Sequence, residues 1–248
     1  MIKPAIPPSS PEAAQSSFRL CGCLTDVAAR DIPHFLKDTS GVDLLEWRLD
    51  IFLRRHSVDE TAEALTHLAM RPRLPVLATL RPEAEGGAFT GPEDLRISLL
   101  RRAVDAGADW VDLEASVSPA VVADFAATSA GILLSHHDFK TTPPKEELKR
   151  LAQSMSSLLD GRPGILKIVT TAGAPEDNLR VLSLIPWARD VLRCPVIAFC
   201  MGPLGRWSRA VSLLLGSPWT YVQLPGRAAP APGPFTPDEI RSILESLR

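Results

Sequence analysis

Eight short β-rich runs recur along the chain at near-regular spacing, and that rhythm limits the fold more than any single motif does. The runs are 19–24, 43–50, 75–80, 109–114, 131–137, 164–170, 195–200 and 219–224, and their ends are separated by 26, 30, 34, 23, 33, 30 and 24 residues. Between them lie helix-period segments at 57–71, 92–106, 143–159, 175–188, 204–215 and 236–247, several opened by Pro or by a Ser, Thr or Asp cap. Each interval has room for one strand and one helix. Eight such units in 248 residues predict one α/β domain over 18–248, a (β/α)8 TIM barrel. An open doubly wound sheet would usually need a Gly-rich first turn, which is missing.

Composition narrows the class of partner. With 45% hydrophobic and 23% charged residues the chain can bury a large core, and a formal charge of −2 gives no field for nucleic acid. Residues 1–17, rich in Pro, Ser and Ala, lack the apolar core of a signal peptide and read as a disordered tail on a cytoplasmic protein. No later run is long and apolar enough to predict a membrane span. The four cysteines form no C-x-x-C pair and have no histidine at zinc-finger spacing, so reduced thiols are expected. Cys200, beside Met201 at a strand end, reads either as a pocket-lining thiol or as a buried structural one.

A barrel places its active site at the C-terminal ends of its strands, and the unusual polar residues lie there. Alternation puts Glu46, Arg48 and Asp50 on one face, and likewise Thr79 with Arg81, Asp112 with Glu114, and Ser135 with His137. Charges on the barrel axis are costly unless they pair with one another or meet a polar ligand, and both readings are open. Lys167 stands in the run 164–170, otherwise a buried strand. Among apolar neighbours an amine can be partly neutral and attack a ketone; the alternative is a lysine that buries its stem and leaves its head in water. His137 at the mouth, with carboxylates on neighbouring strands, suits a general base. The glycines at 86 and 87 suit a tight loop from which Glu85 can reach back over the pocket. After strand seven, Arg209 falls in the first turns of a helix, and its planar fork suits a carboxylate.

Together these motifs resemble type I 3-dehydroquinate dehydratase, the Schiff-base-forming dehydratase of the shikimate pathway. The residues that carry the resemblance are Glu46-Trp-Arg-Leu-Asp50, Arg81 with Glu85-Gly-Gly87, Asp112-Leu-Glu114, Ser135-His-His137-Asp-Phe139 with Thr142-Pro143, Lys167, and Met201-Gly-x-x-Gly-x-x-Ser-Arg209. It implies that Lys167 forms an imine with the C3 ketone of 3-dehydroquinate and that His137 moves the protons. Glu85 and Glu114, with Asp112, would tune or orient His137. Glu46, Arg48 and Arg81 would hold substrate hydroxyls and Arg209 the carboxylate, with Met201 and Tyr221 also at the substrate. No metal or external cofactor is implied, and a homodimer is allowed.

One departure stands out. After strand eight the family usually carries Ser-Ala-Pro-Gly-Gln in a lid, whereas this chain reads Pro230-Ala-Pro-Gly-Pro234 within a Pro-rich segment at 225–237. Both polar lid side chains are absent, and Tyr221 stands where the family commonly has Phe. The lid therefore leaves a second expectation, a low-activity or regulatory barrel that binds dehydroquinate. A third is another imine-forming lyase such as an aldolase, disfavoured because no Gly-rich phosphate loop follows strands seven or eight.

Overall fold

The computed structural model describes residues 18–25, 27–35, 41–70, 74–224 and 234–247. The expected tail at 1–17 and most of the Pro-rich segment, 225–233, lie outside the described residues. Among the described residues there are eight strands: β1 Leu20–Leu24, β2 Leu44–Arg48, β3 Val76–Thr79, β4 Trp110–Glu114, β5 Gly131–His137, β6 Gly164–Thr171, β7 Val196–Met201 and β8 Thr220–Gln223. From β1 to β7 each strand pairs in parallel with the next in sequence, and β1 also pairs with β8. The sheet thus curls into a nearly closed (β/α)8 barrel, with β7 and β8 as the ends of the hydrogen-bonded order.

The helices that cover it are α1 Ile32–Phe35, α2 Leu49–Phe52, α3 Val58–Leu65, α4 Glu93–Asp105, α5 Pro119–Ala126, α6 Lys145–Leu159, α7 Pro175–Leu182, α8 Leu184–Val191, α9 Ser208–Leu214 and α10 Pro237–Ser246. None of the described helices is long and apolar enough to cross a membrane. Capping fixes several starts. Ser57 accepts from Glu60 N and Thr236 from Glu239 N, while each Glu reaches back to the N-cap amide. Three expected helices are subdivided or shortened. The span 57–71 is α3 followed by a 3-10 turn at Thr66–Met70, 175–188 is α7 and α8, and 204–215 narrows to α9. Helix α5 was not among the expected elements, although Ser118 followed by Pro119 is a start signal and Ser118 does cap it.

Alternation along each strand separates two cores. Leu45, Ala78, Val111, Leu134 and Leu166 face the helices. Leu44, Leu77, Trp110, Leu133, Ile165 and Ile197 face the barrel axis and fill its floor. Trp110 meets Trp219 edge-on there, with centroids 5.7 Å apart. Gly131 is required beside them, since a Cβ at that position would lie 2.4 Å from the Trp110 ring.

The expected strand 43–50 is corrected. It ends at Arg48, and the chain turns into α2. Asp50 therefore does not join Glu46 and Arg48 on the axial face. Its carboxylate instead accepts from Arg48 Nε at 2.8 Å, Arg48 Nη2 at 2.7 Å and Ala88 N at 3.0 Å. The Pro-rich segment is also shorter than expected as a loop, because Phe235 bridges Val222 and Pro237 already begins α10.

Candidate active site

The floor of apolar side chains gives way to charge toward the C-terminal ends of the strands. A cavity of about 570 Å³, counting the space open to solvent, lies there. Lys167, the fourth residue of β6, points into it between Ile165 and Val169, as the period of two requires. Its stem is buried but its ammonium is not among apolar groups. Asp112 Oδ2 lies 3.5 Å from Nζ, Glu46 Oε1 3.7 Å, and the face of Tyr221 4.2 Å. That corrects the expectation of an amine desolvated by hydrocarbon, since the barrel supplies two carboxylates and an aromatic face.

Glu46 is held by two further donors. Thr79 Oγ1 donates to Oε1 at 3.0 Å and Cys23 Sγ to Oε2 at 3.3 Å. Burial, then Glu46 itself, pushes the Cys23 thiol up, so it stays protonated and remains a donor. Cys23 lines the cavity and the sequence reading missed it. Its signal was an i, i+2 match with Cys21 on a strand whose neighbour carries Glu46. Cys200 is the buried structural thiol of the two readings, packed against Thr170 at 3.4 Å, while Met201 lines the cavity.

His137 ends β5. Its Nδ1 lies 3.0 Å from Glu85 Oε2, and its backbone N–H donates to the same oxygen at 3.2 Å. The reach is possible because Gly86 adopts φ +74° and leaves room for the Phe139 ring. Burial raises the Glu85 carboxyl to about 7, against the pull of Arg81. Burial, then the charges of Arg81 and Lys167, hold the His137 imidazole well below its usual range. Both shifts favour a neutral imidazole in the free site.

Asp112 and Glu114 were expected to orient His137, and the structure places them elsewhere. Asp112 accepts from Arg81 Nη2 at 2.5 Å and from Ser135 Oγ at 2.5 Å, beside Lys167. Burial would push its carboxyl up, but Arg81, Lys167 and these hydrogen bonds outweigh it and hold it below the ordinary value. Glu114 accepts from Arg81 Nη1 at 2.6 Å and from Arg96 Nη1. Arg81 was expected to hold substrate hydroxyls. Although it lines the cavity, both terminal nitrogens of its fork are turned to carboxylates and Ser135.

Arg48 reaches the cavity from its pairing with Asp50. Arg209, the second residue of α9, reaches it from the opposite side with its guanidinium 4.2 Å over the ring of Phe199. Among the described residues no carboxylate pairs with it. Burial lowers its pKa to about 10, and nearby Cys23 and Tyr221 push the other way. Such a cation is poised for an anionic ligand. Pro234 also lines the cavity, and Pro230 lies outside the described residues.

Fold and pocket define a (β/α)8 barrel whose mouth gathers a buried lysine, a histidine held by a carboxylate and, among the described residues, an arginine with no carboxylate partner. A family model described as type I 3-dehydroquinase matches residues 22–248. The 3-dehydroquinate dehydratase of Syntrophobacter fumaroxidans is 46% identical over 226 residues, covering 91% of this chain and 95% of that protein. A solved 3-dehydroquinate dehydratase from Geobacillus kaustophilus has a TM-score of 0.81 at 28% identity, covering 94% of this chain and 91% of that one. The type I enzyme from Clostridium difficile, solved with covalent modified comenic acid, has a TM-score of 0.78 at 27% identity, covering 92% and 91%. The chain belongs to the type I 3-dehydroquinase family, and with it to the lyases of the shikimate pathway.

Proposed function

We propose that the protein dehydrates 3-dehydroquinate to 3-dehydroshikimate through an imine on Lys167. The observation that carries this reading is the position of Nζ, buried at the mouth between Asp112 and Glu46, with the Glu85-held His137 on the adjacent strand. The lysine passes a proton to neutral His137 and attacks the C3 ketone, and His137 returns that proton to the carbinolamine hydroxyl, which leaves as water and gives an iminium that acts as an electron sink. Neutral His137 takes the C2 proton, and the electron pair flows toward the iminium nitrogen. The imidazolium then protonates the departing C1 hydroxyl, which leaves as water. Hydrolysis of the product imine frees Lys167, so the net change is loss of one water. Glu46 and Arg48 meet the substrate hydroxyls, Arg209 its carboxylate, and Met201 and Tyr221 the carbon skeleton. The relative solved with a covalent modified comenic acid supports a covalent step in this family.

Borohydride added during turnover tests the imine. Intact mass should rise by one reduced ligand, peptide mapping should place it on Lys167, and Lys167→Ala should give neither adduct nor turnover. An adduct on another lysine overturns the assignment. The second reading, a barrel that binds dehydroquinate with little turnover, draws on Pro234 in the cavity lining. Absorbance of the conjugated enone product separates the two.

A further inference from the structure

Glu114 closes β4 with no exposed side-chain surface, and a carboxylate so placed needs cations or it takes up a proton. Two cations reach it, from opposite sides of the barrel wall. Arg81 Nη1 donates to Oε1 at 2.6 Å from the mouth, and Arg96 Nη1 donates to Oε2 from α4 outside the sheet. Arg96 is 1% exposed, although it sits on a covering helix. Its other nitrogens grip Glu93, Nε at 2.7 Å and Nη2 at 2.6 Å, and Glu93 is itself 61% exposed. Contact is continuous from that surface carboxylate through Arg96, Glu114, Arg81 and Asp112 to Lys167. A branch leaves at Arg81, whose Nη1 is 4.0 Å from Glu85 Oε2, the oxygen that holds His137.

The charges explain why an outside cation is needed. Inside the mouth, among the described residues, the cations paired with Asp112, Glu114, Glu46 and Glu85 are Arg81 and Lys167, while Arg48 is paired with Asp50. Burial pushes the Glu114 carboxyl up, Asp112 adds to that, and Arg81 and Arg96 oppose it. Without Arg96, Glu114 either becomes protonated or draws Arg81 away from Asp112, and each outcome loosens the carboxylate facing Lys167.

We propose that Arg96 is a positioning residue for the dehydration, neutralising the outer oxygen of Glu114 so that Arg81 can hold Glu114 and Asp112 together beside Lys167. The inference rests on the imine reading above. It touches no substrate atom and acts only through Glu114 and Arg81.

A charge-removal cycle tests it. Arg96→Met should lower kcat about 10- to 100-fold while KM stays within about threefold, because alignment and not binding is lost. Adding Glu114→Gln removes the charge that Arg96 serves, so the double variant should be at least about fivefold faster than Arg96→Met alone. A double variant slower than either single variant assigns Arg96 to packing and overturns the proposal. Arg96→Lys, which keeps the charge but loses the fork, should retain more than about a third of wild-type kcat and serves where Arg96→Met does not fold. Arg96→Lys as impaired as Arg96→Met also overturns it. Leu99→Ala, a buried neighbour on the same helix, should lower the melting temperature and leave kcat unchanged. Borohydride trapping on the wild type keeps the two readings apart. No adduct on Lys167 overturns the imine reading and this inference with it. A wild-type adduct alongside an Arg96→Met enzyme as fast as wild type overturns this inference alone.

Discussion

On the β3 to β5 side of the mouth, Arg81 is bonded to Asp112, Glu114 and Ser135, and Glu85 holds His137 at 3.0 Å. On the β7 to β8 side, Arg209 lies against Phe199 with no carboxylate partner among the described residues. The first wall is satisfied before any ligand arrives, so its groups have fixed positions, which is what proton transfer and nucleophilic attack demand. The second carries an uncompensated charge, whose cost a bound anion would relieve. On the proposed function, one wall serves the chemistry and the other recognition.

His137→Ala is the strongest challenge to that division. It should lower kcat by roughly 10²–10⁴-fold while Lys167 still captures the ketone, giving a borohydride adduct without matching turnover. His136, at the preceding β5 position and so on the opposite strand face, should tolerate Ala far better. Equal losses at both positions would break the assignment of chemistry to this wall.

Stability should separate the walls next. Arg81→Met strands buried Asp112 and Glu114 and should cost about 3–5 kcal/mol in urea unfolding. Arg209→Met strands nothing and loses only a contact with Phe199, worth about 0.5–2 kcal/mol. Arg209→Met should therefore raise KM with little change in stability of the free protein. A loss as large as that of Arg81→Met would show that Arg209 has a structural partner.

What could be read from the sequence follows the same line. The strand period put Glu46 on the axial face and Ser135 with His137 on one face near a strand end, because alternation is local and the barrel makes inward mean one place. Arg48 and Asp50 share that period too, but the strand stopped between them, since pairing with Arg48 and the amide of Ala88 favours a turn. Partnerships across long separations were harder. The loop glycines let Glu85 reach back over the pocket, but the family resemblance gave it to His137 together with Asp112 and Glu114, and of the three Glu85 lies against the ring, because sequence shows a face and not a distance. Arg96 went unseen, although it occupies the apolar stripe of α4 ahead of Leu99, Leu100, Ala103 and Val104, all buried with it. A charged residue in such a stripe is the signal that finds it.

The acid–base pair carries a pH signature of known sign. Glu85 has its folded pKa raised from 4.5 to about 7, so the native state holds a proton there that the unfolded chain releases earlier. Its contribution is complete below about pH 4.5 and is lost as pH rises through about 7, amounting to about 3 kcal/mol. His137, lowered by burial, acts in the opposite sense, its cost growing as pH falls below 6.5. Comparing wild type with Glu85→Gln from pH 4.5 to 8 isolates the first slope. Parallel stability curves would place Glu85 in water, detached from the chemical wall.

The smallest expected effect concerns the recognition wall, where Pro234 lines the cavity at a position for which the family resemblance implies a polar side chain. Proline offers neither a side-chain donor nor a backbone N–H, so this edge of the pocket can enclose a substrate but cannot hydrogen-bond it. Restoring Pro230→Ser with Pro234→Gln adds up to two hydrogen bonds worth roughly 0.5–1.5 kcal/mol each, and should raise kcat/KM by about tenfold. The gain should fall mainly on KM, because contacts made equally to substrate and transition state tighten binding without speeding the chemical step. A rise in kcat at constant KM would mean that this segment helps to order the paired wall, and the division between the two sides would then fail. No gain in either would mean that Arg209 and its neighbours already bind the acid fully, which leaves the division intact and makes the prolines neutral substitutions.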